Sequence, residues 1–410
     1  MTAGGVDVDV LIVGAGVAGL GLACALARHD VSVMLLEKRS APGGIHRGDS
    51  LLPKTVRILD SWGLLGAFLG ARAQKLGRIE LHHFRKGKLL EHPIADPSEP
   101  YPYLVLPHAR IEDLLSEEAV KRGAELVREA SVLDLIVADS GRVEGVRYRA
   151  SSARKEVRAR LVVGCDGFRS TVRRSLGVPM DAEPYDHAYL GLEADRPAGY
   201  ENALRVHLHP AGGVLLMPRP DRVGVGVLVE AGSARHWMQR SDADLARDLC
   251  ARAPILEGMK LHRDGAHVYA LQQAHAARYQ AQGAVWIGDA AHSTNPTSGQ
   301  GMAMALSDAS ALVDAVGPAL ESGQRDLAPL LERFEATQRP INERIVVQSH
   351  RLARLYALRG SRWDAVKSWT IAALGSSVGE VALQGLFRTF LKSPAAAAAD
   401  EMPLAGPVPS

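Results

Sequence analysis

Three short segments carry residue types able to hold a ligand: Gly14-Ala15-Gly16-Val17-Ala18-Gly19, Asp166-Gly167 and Gly288-Asp289. The first lies between an apolar strand ending at Val13 and an alanine-rich helix, and a second strand ends at Glu37 with Lys38 behind it. In such a βαβ unit Gly14 permits the tight turn, Gly16 lets the backbone approach a pyrophosphate, and Gly19 lets helix and sheet pack closely, with the helix N-terminus facing the anion. Glu37 lies eighteen residues beyond Gly19. An acid there accepts hydrogen bonds from a ribose diol and argues against a 2′-phosphate. The unit predicts a bound dinucleotide; the turn alone leaves open whether it is FAD or NAD.

The second segment, "RLVVGCDGFRSTVRRSLG", repeats the pattern: a strand Leu161 to Cys165, then Asp166-Gly167, then a helix start with Ser170 and Arg173. In the third, "VWIGDAAHSTNPTSGQGM", a buried strand delivers Asp289 at its carboxyl end, where open α/β sheets bind ligands. A carboxylate there can hold a polyol hydroxyl. The chain then turns through Gly299 and Gly301 into a helix whose N-terminal N–H groups suit an electron-rich carbonyl or an anion.

These motifs resemble those of the class A flavin monooxygenases, the para-hydroxybenzoate hydroxylase and kynurenine monooxygenase group, from Val8 to about Ala315. The match rests on the first glycine turn, on D-G-x-x-S-x-x-R as Asp166, Gly167, Ser170 and Arg173, and on G-D-A-A-H followed by P-x-x-G-Q-G. The resemblance implies that the dinucleotide is FAD, with its ADP half in the first turn and its ribityl chain at Gly288 and Asp289. The isoalloxazine would lie beside Gly299, Gln300, Gly301 and Met302. It further implies that Arg47 reaches the FAD phosphates, that Arg110 is a second FAD-binding arginine, and that Val132 touches adenine through its backbone. Pro296 would shape the oxygen side of the ring, and Met217 and Pro218 match the place where a covering sheet meets the flavin. Ala303 replaces the asparagine of the family pattern, so one flavin or substrate contact is absent or replaced.

The same resemblance implies an activity. NADH or NADPH, for which the chain offers no second G-x-G-x-x-G, would bind transiently, reduce the flavin and leave. O2 would be captured as a flavin C4a-hydroperoxide and one oxygen atom inserted into a small, electron-rich aromatic or heteroaromatic molecule. His46 and His207 are candidate bases for a phenolic or enolic substrate. A flavin-dependent reductase, a halogenase and a non-catalytic flavoprotein share the fold; the halogenase signature W-x-W-x-I-P is missing. Gly48 to Leu51 spell the "GDSL" of a serine hydrolase group but lead into a helix opened by Pro53 instead of following the first strand.

Positioning these residues requires an α/β fold: a Rossmann-like FAD-binding domain, an inserted, mostly antiparallel β-sheet substrate domain, and a C-terminal helical region. FAD-binding parts are expected at 1–75, 105–182 and 266–325, and substrate-domain parts, from their alternating patterns, at 76–104 and 183–265. Helices follow at 326–393, with a final one from Val378 to Lys392, and 394–410 reads as a disordered tail. That last helix is expected to pack, with weak membrane-surface contact or homodimerisation left open.

A net charge of +2 in 410 residues, with acids and bases interspersed, gives no footprint for nucleic acid. Three cysteines, far apart in apolar runs, fit buried thiols and a cytoplasmic address, with peripheral membrane association left open. The histidine pairs lack the spacing of a metal site, and no metal is expected.

Overall fold

A computed structural model describes residues 6–42, 48–94, 99–360, 362, 363 and 366. The chain begins with β1 (Val8–Val13), α1 (Val17–Leu26) and β2 (Val33–Leu36). It continues through β3 (Arg78–His83), β4 (Gly87–Pro93), α2 (His108–Lys121), β5 (Glu125–Val127), β6 (Ser131–Val137), β7 (Val143–Ala150), β8 (Ala153–Gly164) and α3 (Thr171–Ser175). Then come β9 (Met180–Asp195), β10 (Ala203–Leu208), β11 (Val214–Pro218), β12 (Arg222–Glu230), α4 (Ala234–Gln239) and α5 (Asp242–Arg252). The remaining elements used below are β13 (Leu261–Ala276), β14 (Ala284–Trp286), α6 (Gly301–Glu321) and α7 (Ala328–Ala357).

The core of the first sheet runs β14-β8-β1-β2-β5, all parallel; β7 pairs antiparallel with β8 and β6 with β7, and the short strand Gln280–Ala281 pairs antiparallel with β14 at the edge. A strand paired on both edges and covered on both faces must be apolar throughout, which is why Val10 to Val13 form one buried run. Helix α1 is buried along its whole length, between α2 and α6, so it too is apolar all round. Register sets the height of the turns: Val13 pairs with Gly164, and Gly164 with Trp286. The three motifs therefore leave the sheet at one level, from the carboxyl ends of three adjacent strands.

The second sheet runs β13-β9-β12-β11-β10-β3-β4 and is antiparallel except for β10 beside β3. Its strands come from 78–93 and 180–276, with the short strand His292–Ser293 at one edge, and α4 and α5 are helices inside the stretch 183–265 expected for the covering sheet. One face, with Ala188, Leu190, Val214 and Leu216, packs on Trp237 and Leu249 of those helices. The opposite face, with Met217, meets Leu52, Tyr103 and Ala303.

Helix α6 is long and apolar enough to cross a membrane, but 67% of its apolar window is buried in the protein, so it is a core helix. Helix α7 presents Leu331, Phe334, Gln338, Asn342, Val346 and Ser349 as one buried stripe at helical spacing, which lays it along α6. The final helix expected from Val378 to Lys392 and the tail from 394 lie outside the described residues.

Trp286 ends β14 fully buried, its Nε1–H donating to the Arg278 carbonyl at 2.7 Å. Trp286→Ala is expected to cost about 3–5 kcal/mol of unfolding free energy, measured by urea denaturation, and to loosen the Gly288-Asp289 turn behind it.

Candidate functional site

Gly14 adopts φ +103°, and an added Cβ would lie 2.4 Å from the Cys165 carbonyl oxygen, so only glycine lets β1 turn this close to β8. The next amide, Ala15 N–H, donates to Glu37 Oε2 at 2.8 Å. Glu37 is buried, and its Oε1 accepts from the Arg39 backbone N–H at 2.8 Å and from Arg39 Nε at 3.1 Å. Arg39 also reaches Glu112 with both terminal nitrogens at 3.2 Å. Opposite Gly16 the nearest non-neighbouring atom to an added Cβ is Glu112 Oε1, at an ordinary contact distance of 3.8 Å, so the second glycine is not crowded by backbone. Val17 and Ala18 are buried and Lys38 is exposed.

Arg39 and Glu112 escape the motif reading; the available signal is an acid at a buried α2 position. Arg110, expected at the cofactor, is 42% exposed and pairs with Glu117 at 3.1 Å, whereas His108 on the first turn of α2 stands 3.5 Å from Glu112. The backbone of Glu37 is continued sideways by Val127, whose carbonyl accepts the Glu37 N–H, and by Ala130, whose N–H donates to the Glu37 carbonyl, each at 2.9 Å. Val132 stands two residues beyond Ala130, within β6 and paired with Tyr148.

At the second motif Asp166 caps α3, its Oδ2 accepting from Thr171 N–H at 2.5 Å, and Gly167 takes φ +81°. Asp166 Oδ1 is buried with no hydrogen-bond partner among the described residues, and burial raises this carboxyl above its ordinary value. Ser170 caps the same helix, and Arg173, buried, donates to the Ala290 carbonyl at 2.7 Å and to the Phe168 carbonyl at 3.0 Å. Arg173 thus braces the second motif against the third.

In the third motif Gly288 adopts φ +60°, and an added Cβ would lie 3.0 Å from the Cβ of Ala18, so this turn packs directly on α1. Its N–H donates to Asp308 Oδ2 at 2.9 Å. Asp308 is fully buried on α6 and also takes His292 Nε2 at 2.7 Å, Gln338 Nε2 at 3.1 Å and Asn342 Nδ2 at 2.8 Å. This anchor, invisible to the motifs, holds the turn in place. Asp289 itself is exposed, between buried Gly288 and Ala290, and makes no hydrogen bond or ion pair among the described residues.

Beyond it, Asn295, fully buried, caps the turn Pro296–Ser298, accepting from Thr297 N–H at 3.0 Å and Thr297 Oγ1 at 2.7 Å. Gly299 takes φ +65°, Gln300 is buried, and α6 opens at Gly301 with Met302 half-buried behind it. The second sheet closes over this loop: Tyr189 Oη lies 3.1 Å from Thr297 Oγ1, and Arg219, buried at the end of β11, ion-pairs with Asp49 and Glu193.

His207 is on the wrong face for the catalytic role considered for it. It pairs in register with Val214 and His82, so it shares the face packed under α4 and α5, while Leu215 and Met217 turn toward the loop. It stacks on His82 with ring centroids 4.9 Å apart. Burial, with the neighbouring His82 and Arg205, lowers its pKa from 6.5 to about 3. His46 and Arg47 lie outside the described residues. No group of three or more His, Cys, Asp or Glu able to hold a metal occurs among the described residues.

The set fits an extended dinucleotide. An uncrowded glycine turn lies beside a buried acid, an orphaned Asp166 oxygen sits in the second turn, and a free carboxylate ends the third. Residues 7–349 match the model of a family described as "FAD binding domain". The chain belongs to this family, in its class A type of FAD-dependent monooxygenases and aromatic hydroxylases. Among particular relatives it is similar to ubiquinone hydroxylase UbiL of Rhodospirillum rubrum, 30% identical over 366 residues, spanning 85% of this chain and 82% of that protein. It is 31% identical over 340 residues to rifampicin monooxygenase of Streptomyces venezuelae, spanning 81% and 68%. The solved structure of Pseudomonas aeruginosa PqsL in complex with 2-aminobenzoylacetate superposes with a TM-score of 0.75 at 25% identity, over 88% of this chain and 99% of that one.

Asp289→Ala removes a charged hydrogen-bond acceptor with no other partner among the described residues, and is expected to weaken FAD binding roughly ten- to a hundredfold without loss of fold, measured by flavin fluorescence titration. Asp308→Ala leaves the Gly288 amide and His292 buried without their acceptor and is expected to lower both stability and FAD retention, measured by thermal unfolding with and without FAD. Because the folded pKa of His207 is depressed, the unfolded chain binds more protons below 6.5. Stability is therefore lost as pH falls from 6.5 toward 3; His207→Leu is expected to flatten that acid limb in urea unfolding measured across the range.

Proposed function

We propose that this FAD-dependent monooxygenase uses NADH or NADPH and O2 to insert one oxygen atom into an electron-rich aromatic small molecule. The observation that carries the reading is the free carboxylate of Asp289, set at the same sheet edge as the Gly14 turn. The balance is one substrate, one O2, one NAD(P)H and one proton giving hydroxylated substrate, NAD(P)+ and water. FAD, when bound, supplies the oxygen-activating redox chemistry.

The residues of this chain do the rest. The Gly14 to Gly19 turn and the N-terminus of α1 receive the ADP half, Glu37 meets the ribose, the backbone of Val132 meets adenine, and Asp289 holds a hydroxyl of the ribityl chain. The first N–H groups of α6, from Gly301, would offer partial positive charge to an electron-rich edge of the flavin. Pro296 shapes that pocket; a proline has no acid or base to offer. Met217, Tyr103 and Ala303 form an apolar seal between the covering sheet and the loop, and exclusion of water there favours oxygen transfer over release as peroxide. The structure neighbour solved with 2-aminobenzoylacetate supports an aromatic substrate, and the relatives named for ubiquinone and rifampicin support a small organic one.

The purified chain is expected to be yellow, and a panel of aromatics to contain compounds that stimulate NADH or NADPH oxidation and gain one oxygen atom by product mass. A colourless protein that takes up no FAD, or oxidation yielding only peroxide with every aromatic, overturns the reading.

A further inference from the structure

Pro184 brings no N–H to the ladder, and β9 loses register with β13 between Pro184 and Ala188 while staying paired with β12, where His187 lies opposite Glu230. From this break the imidazole of His187 meets the loop at Asn295, as Tyr189, two residues on, meets it at Thr297. The His187 side chain is 2% exposed and that of Asp186 94%, so the pair joins a buried ring to a carboxylate in water.

Both ring nitrogens have partners that dictate the tautomer. Nδ1 lies 2.9 Å from Asp186 Oδ1, an acceptor, and so carries the proton. Nε2 lies 3.2 Å from Asn295 Nδ2, which can only donate, and so offers its lone pair. The direction of the amide is set independently, because Asn295 Oδ1 accepts from Thr297 N–H at 3.0 Å and from Thr297 Oγ1 at 2.7 Å and thereby caps the turn Pro296–Ser298. Neutral His187 satisfies all of these groups. An imidazolium would set a second donor against Asn295 Nδ2; if the amide turned over to meet it, Nδ2 would face the Thr297 N–H and the cap would be lost.

The titratable and charged groups around the ring are Asp186, Tyr185 with its ring centroid 4.9 Å away, and Arg359 beyond the end of α7, itself paired with Glu230. Tyr185 Oη is in turn 3.1 Å from His350 Nδ1 of α7. Burial lowers the His187 pKa below its ordinary 6.5 against the opposing pull of Asp186, and Arg359 adds to the lowering. The ring is therefore neutral at neutral pH, and the cap is lost as pH falls through the folded-state pKa.

We infer that His187, with Asp186 behind it, is a positioning residue for the flavin loop: as the Nδ1–H tautomer it accepts from Asn295, fixes which way that amide faces, and thereby holds Pro296 in one place. The inference rests on the monooxygenase reading for what the loop lies beside, while the hydrogen bonds stand without it. With Pro296 shaping the oxygen side of the pocket, a loosened turn admits water and diverts oxygen to peroxide.

The test reads the cap directly, as amide hydrogen exchange at Thr297 in the full chain with and without FAD, expressed as protection relative to the intrinsic rate at each pH. The ring nitrogen shifts of His187 at neutral pH are expected to report the Nδ1–H tautomer, and Thr297 protection to fall about fivefold in step with protonation of that ring. His187→Gln, whose Oε1 can stand in for Nε2 and does not titrate, is expected to keep the neutral-pH protection across the whole range. His187→Leu is expected to lose it at every pH while the β1 amides stay protected. In the FAD-loaded chain His187→Leu should send several-fold more of the NAD(P)H oxidation to peroxide than His187→Gln, at equal FAD content. An Nε2–H tautomer at neutral pH, Thr297 protection indifferent to the titration, Gln and Leu variants with the same exchange, or equal peroxide shares in the two loaded variants each overturns the inference. Should the Leu variant fail to fold, the tautomer of the parent and the pH profile of His187→Gln still decide it. Failure of the monooxygenase reading shows separately, as absence of FAD uptake with the exchange results unchanged.

Discussion

The parallel pairing of β8 between β1 and β14 is the constraint on which the site depends. Parallel strands in register end together, so Val13, Gly164 and Trp286 stop at one height and the turns after them open on the same edge. A ligand too long for one turn can then be gripped by three. The register is held by buried polar braces as much as by apolar packing: Arg173 crosses to the Ala290 carbonyl, and Asp308 fixes Gly288 from the other side. Each brace joins segments distant in sequence, and each is buried, so its geometry is protected from water and is costly to break.

The covering sheet is attached by polar contacts at both ends of its inner face and by apolar packing between them. Arg219 is held by Asp49 at one end, Tyr189 by Thr297 at the other, with Met217 against Ala303 in the middle. This arrangement brings the sheet close to the loop, with the Arg219 guanidinium lying over Gly224. Helix α7 reinforces the loop from behind, since Ser349 Oγ donates to Ser298 Oγ at 2.8 Å and Gln338 and Asn342 share Asp308. The polar residues in the buried stripe of α7 are thus explained by the site they support.

Much of the fold was legible in the residues. The run from Val10 to Val13 and the glycines after it could be read as a strand and a turn because a doubly covered parallel strand tolerates only apolar side chains and because φ near +103° at Gly14 excludes other residues. Asp289 could be singled out because a lone acid after a buried strand has few structural uses. His207 could not be placed: alternation shows that neighbours point to opposite faces, without showing which face meets the flavin loop. Arg39, Glu112 and Asp308 carry no local pattern that separates a buried, shared charge from an exposed one.

The sequence by itself determined the elements, the family and the chemistry of the turns, because those depend on local conformational limits at glycine and on apolar periodicity along a single strand or helix. Only the tertiary structure decided which charges are shared and which face of the second sheet looks onto the loop. Those facts depend on pairing between strands far apart in the chain, where a shift of one residue reverses the direction of every side chain.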